Sequence, residues 1–174
     1  GDSWISTKNK FDWTPEGVDE AIQVTFDLID NKLPNGQAAE RIGYLIALHD
    51  FNDNSDSLGG NLLIDGNPKE GTAVHLDYPG SDGRPLGTLG TTGYAPGQNY
   101  GVRITNIGSE KFRIEQLVNS FPDEKSIEVK KADLPDGGFG FEYCCGRSFV
   151  VDNVVIERID ASPKEDSSLA ELKK

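Results

Sequence analysis

The stretch GGFGFEYCCGRSFVVDNVVIERI, residues 137–159, constrains the fold more than any other part of the chain. Phe139, Phe141 and Tyr143 recur at a period of two, which marks one face of a strand. After Cys145-Gly146-Arg147-Ser148 a second strand follows. Phe149, Val151, Val155 and Ile159 fall on one face, and Val150, Val154 and Ile156 on the other. A strand apolar on both faces is expected in the middle of a sandwich. Asp152-Asn153 interrupts it, and a carboxylate in so apolar a run must be compensated. Three arrangements would do so: backbone N–H donors of a turn, an arginine such as Arg147, or calcium shared with the polar loop at 50–56.

The same alternation recurs along the chain. Ile22, Val24, Phe26 and Leu28 alternate with Gln23, Thr25 and Asp27, giving one core face and one wet face. Strands are also expected at 43–51, 61–65, 72–78 and 126–134. A hairpin over 100–107 and 111–119 turns at Gly108-Ser109, with Val102 and Ile104 opposed by Arg103 and Thr105. Residues 2–13 suggest a strand or hairpin on the core edge. Its Trp4 and Trp13 read as core anchors or, alternatively, as a stacking platform for sugars. Residues 79–97, rich in Gly, Pro and Thr, read as a long loop, functional or mobile, without a phosphate-binding glycine motif. After Asp160, Ser162-Pro163-Lys164-Glu165 carries helix-start signals. The expected organisation is a sandwich over 1–160 and a short C-terminal helix or linker over 161–174.

Composition excludes several classes of partner. The 174 residues carry 29 acidic against 17 basic side chains, a net charge of −12, and no basic stripe. Phosphate backbones and anionic membranes would be repelled, so nucleic acid is not an expected partner. No apolar run is long enough to insert in a membrane. The chain contains no Met, as expected of a mature form or an excised domain. Its two cysteines, Cys144 and Cys145, are adjacent. They read either as two free thiols on opposite faces of a strand or as a strained vicinal disulfide beside a ligand site.

The strand series, the hairpin Tyr-x-Val-x-Ile…Phe-x-Ile, the following Gly-x-Phe-Gly-Phe and the terminal Phe149–Ile156 run together resemble the concanavalin A-like lectin/glucanase jelly roll. Within that group the chain is similar to laminin-G-like modules and to bacterial 3-keto-disaccharide hydrolase domains. The resemblance covers residues 21–160. It implies an all-β, two-sheet antiparallel sandwich with a concave ligand face, a carbohydrate ligand and calcium near the loops. It also implies a module of a larger exported bacterial protein, in the periplasm or secreted. The Glu-x-Asp-x-(x)-Glu strand of retaining glucanases, which sets two carboxylates about 5–5.5 Å apart, has no match here.

Candidate ligand-binding residues follow from the wet faces and the aromatics: His49, His75, Asp77, Arg103 and Glu142 for hydrogen bonding, Tyr100 and Tyr143 for stacking. The oxygen-rich loop 50–60 offers Asp50, Asn52, Asn54 and Asp56, with Asp152, as calcium ligands. It is not an EF-hand, since Ser55 stands where Gly is required and Asn61 where Glu is required. The leading expectation is a lectin-like carbohydrate-binding module. The alternatives are a sugar-acting hydrolase, for which His75-x-Asp77 places an imidazole and a carboxylate on one face, and a structural interaction domain.

Overall fold

A computed structural model describes residues 3–39, 42–48, 62–67, 72–78, 84–134, 136–143 and 146–162. Residues 163–174 of the C-terminal helix or linker expected over 161–174, His49, the loop ligands Asp50, Asn52, Asn54 and Asp56, and both cysteines lie outside these residues. The described chain forms two antiparallel sheets. One has six strands: β1 (Ser3–Ser6), β10 (Gly138–Tyr143), β3 (Gly43–Leu48), β4 (Leu62–Asn67), β5 (Thr72–Tyr78) and β6 (Arg84–Gly90), in that spatial order. The other has five: β11 (Ser148–Asp160), β2 (Glu20–Lys32), β7 (Gln98–Gly108), β8 (Lys111–Val118) and β9 (Phe121–Lys130). The chain crosses between sheets from β1 to β2, from β2 to β3, from β6 to β7, from β9 to β10 and from β10 to β11, in the manner of a jelly roll. Among the described residues no helix is long and apolar enough to cross a membrane.

Alternation puts the core where the sequence placed it. Ile22, Val24, Phe26, Val102, Ile104, Phe112, Ile114 and Phe141 are buried between the sheets. Aromatic rings dominate the centre. Phe26 meets Tyr44 edge-on at 5.3 Å and Phe141 at 5.1 Å, and a tilted Tyr100 at 6.5 Å. Trp13 is fully buried and donates from Nε1 to the Gly137 carbonyl, so it is a core anchor. Burial above all pushes the Tyr44 phenol well above its ordinary range, which keeps it a donor to the Gly101 carbonyl at 3.3 Å. The hairpins β7–β8 and β8–β9 turn on Ser109-Glu110 and Asn119-Ser120. Both residues of each pair have positive φ, as two-residue type I′ turns require.

One flank is closed by polar chemistry. β6 packs against β9, and Asp123 accepts from the Thr92 backbone N–H, the Thr92 hydroxyl and the Gln116 side-chain amide. Gln116 is fully buried and accepts in turn from the Tyr94 hydroxyl at 2.6 Å. Its polar atoms are therefore compensated on both sides.

Four expectations need correction. The 148–160 strand is not central: β11 is the edge of the five-stranded sheet, and Val150, Val154 and Val155 are 53%, 44% and 44% exposed. Only one of its faces meets the core, and Val151, expected to be buried, is half-buried at that edge. Asp152 is likewise exposed, and its Oδ1 accepts from the next residue's N–H at 2.7 Å. The interruption there is a β-bulge: Asn153 takes φ 49°, and the pairing shifts between Asp152 and Val155. Residues 79–97 are not all loop, since β6 occupies Arg84–Gly90. Its Pro85 is tolerated because β6 is an edge strand. Finally, β9 starts at Phe121, earlier than the 126–134 pattern implied, and ends in a single 3-10 turn at Lys131–Asp133.

Candidate functional site

The outer face of the five-stranded sheet is built by the wet residues of β2. Gln23, Thr25 and Asp27 each head a row that crosses neighbouring strands. The first row is Glu157, Gln23, Arg103 and Glu115; the second Val155, Thr25, Gly101 and Leu117; the third Asp152, Asp27 and Asn99.

The outer two rows are hydrogen-bonded arrays. In the first, Gln23 Nε2 donates to Glu157 Oε1 at 2.9 Å, and Arg103 Nε donates to Gln23 Oε1 at 3.1 Å. The terminal guanidinium nitrogens of Arg103 have no partner among the described residues, so they remain available as donors. In the third row, Asp27 accepts from Asn99 Nδ2 at 2.8 Å through Oδ1 and from Asn153 Nδ2 at 2.8 Å through Oδ2. A carboxylate only accepts, so both amides turn their nitrogens to Asp27 and keep their oxygens as acceptors. The β11 bulge is what brings Asn153 to Asp27.

The middle row is low and apolar. Gly101 has no side chain, and a Cβ there would meet the Thr25 methyl as well as backbone. Thr25 is half-buried and Val155 is 44% exposed. The result is an apolar strip with donors along one side and acceptors along the other. Arg103 and Asn99 are four residues apart on β7, a separation of about 14 Å at ~3.4 Å per residue.

The donors of Asn153 first, then Asn99, hold the Asp27 carboxyl below its ordinary range against a smaller desolvation effect. A depressed carboxyl stabilises the fold above its unfolded pKa, and that contribution is lost as pH falls through the folded value. Asp27→Asn is therefore expected to lower the thermal midpoint at neutral pH. The gap from the unmodified chain should narrow as pH drops below about 4. A gap constant from pH 7 to pH 2 would show that the charge on Asp27 does no structural work.

The sequence-derived candidates divide between faces. Arg103 belongs to the array just described. His75 and Asp77 lie on β5 and Glu142 on β10, in the six-stranded sheet. There the register sets His75 opposite Asp65 and Thr88, Asp77 opposite Leu63 and Pro85, and Glu142 opposite Trp4 and Gly43. β10 and β5 are three strand spacings apart, about 14 Å, so Glu142 is not a neighbour of His75. Tyr143 pairs with Ser3 at the sheet edge. Tyr100 is a correction: it is fully buried, its hydroxyl donates to the Gly93 carbonyl at 2.8 Å, and it offers no stacking surface. Among the described residues no three metal-ligating side chains cluster. Asp152 is the one member of the calcium set among the described residues; Asp50, Asn52, Asn54 and Asp56 lie outside them.

Sequence reasoning missed Asp27, Asn99, Asn153 and Glu157 as site residues. Gln23, Thr25 and Asp27 carried a signal, being the wet face of the most regular strand.

No protein-family model matches the chain, and no curated protein does. Comparison with solved structures returns 25 matching chains. One is a double mutant of congerin II, at 10% identity and a TM-score of 0.46, covering 90% of this chain and 100% of that one.

Proposed function

We propose that the chain is a non-catalytic carbohydrate-binding module whose ligand lies on the outer face of the five-stranded sheet. One observation carries the reading: the apolar strip of Thr25 and Val155 runs between Arg103 donors and the Asn99 and Asn153 amide oxygens. Sugar hydroxyls both donate and accept, and a sugar ring has an apolar face. A saccharide therefore satisfies both polar rows and covers the strip at once. Within each polar row the side chains are already tied to one another, which lowers the ordering cost of binding. The resemblance to lectin-like jelly rolls supports the same class, and with the acidic surface it supports an exported parent protein.

Calorimetric titration with neutral oligosaccharides tests the reading. Binding is expected, and Arg103→Ala should weaken it by about tenfold or more, the loss of a charge-assisted hydrogen bond. An Arg103→Ala variant that stays folded and binds as tightly as the unmodified chain would remove this face from consideration.

A further inference from the structure

We infer that the site takes the end of an uncharged glycan chain, with the rest of the chain leaving over the β11 edge past Val155. The inference rests on the carbohydrate reading above and adds both the ligand class and its direction.

The charge of the face sets the class. Glu157, Glu115, Asp27 and Asp152 surround a single cation, Arg103, across the three rows. Uronate or sulfated chains would bring further negative charge to three rows in which four carboxylates stand against one guanidinium. A neutral polyol has no such penalty and still supplies donors to the amide oxygens and acceptors to the guanidinium.

The two ends of the middle row set the direction. At the β8 end stands Leu117, in register with Gly101 on the outer face, and it is completely buried. Other groups therefore already cover that end, and the strip stops there. At the other end stands Val155 on β11, exposed, with no strand beyond it among the described residues. The open strip thus covers β7, β2 and β11, two strand spacings or about 10 Å, closed at one end and open at the other. Such a site suits a terminal sugar and the next ring, not the middle of a long chain.

The test uses the full chain with linear neutral gluco-, manno- and galacto-oligosaccharides of one to six units, a cyclic glucan of six units, and an oligouronate. Affinity should rise from one unit to two and then level off. The cyclic glucan, which has no end, and the oligouronate should bind at least about tenfold more weakly than the best linear neutral ligand. Val155→Arg should weaken the longer ligands more than the single sugar. Affinity climbing steadily through six units, or a cyclic ligand bound as tightly as linear ones, would overturn the chain-end inference while leaving carbohydrate binding intact. Preferred binding of the oligouronate would overturn the charge argument. Failure of every ligand to bind would remove the carbohydrate reading itself, and this inference with it.

Discussion

Phe26→Ala is expected to destabilise the fold by about 3–5 kcal/mol, the cost of removing a large buried ring and leaving a cavity. Phe26 is fully buried and contacts Tyr44, Tyr100 and Phe141, which come from both sheets. Those neighbours are themselves held in place, Tyr44 by the Gly101 carbonyl and Tyr100 by Gly93 and Ala95. They cannot collapse into the void without giving up buried hydrogen bonds, so the cost falls toward the upper part of that range. Urea denaturation is the measurement. A midpoint within error of the unmodified chain would mean that the two sheets do not meet through this ring.

The second large effect is expected at Gly101. It sits in the middle of β7, between Thr25 of β2 and Leu117 of β8. A Cβ there would run into the Val24 carbonyl oxygen and crowd the Thr25 backbone. Neither is the free end of a side chain, so β2 and β7 must move apart. Gly101→Ala should therefore cost about 3 kcal/mol, the upper end of what overpacking costs. The same displacement would separate Gln23 from Arg103 and Asp27 from Asn99, because those bonds span the same strand pair. Glycan binding should fall with stability, and partial restoration of stability by a distant substitution should not restore binding. A Gly101→Ala variant with unchanged stability would show that the strands are not held this closely.

Much of this architecture was legible in the residues. The alternation of Ile22, Val24, Phe26 and Leu28 against Gln23, Thr25 and Asp27 fixes both the core face and the wet face of β2, and the structure agrees residue by residue. Tyr100 shares the parity of Val102 and Ile104, so its burial was readable too, although its hydroxyl invited a surface role. β6 was hidden by its composition. Pro85, Gly87 and Gly90 look like loop residues, and only an edge position closing against β9 makes them a strand. β11 misled in the opposite direction. Val150, Val154 and Val155 read as interior, and register shifts between Val150 and Val151 and at Asn153 change which of them face water. The candidate site was legible only in part. Its bonds join residues far apart in sequence, such as Asn99 to Asp27 and Asn153 to Asp27. Such pairs depend on strand register, which alternation within one strand does not specify.

The most direct test of the central claim is a nitrogen-15 NMR titration of the full chain with a neutral oligosaccharide that binds it. Carbohydrate binding on the outer face of the five-stranded sheet predicts that the largest shifts fall on Gln23, Thr25, Asp27, Asn99, Arg103 and Asn153. The same titration should leave β4 and β5 of the other sheet unmoved. Shifts concentrated instead at Asp65, His75 and Asp77, with the Gln23–Asp27 strand silent, would contradict it.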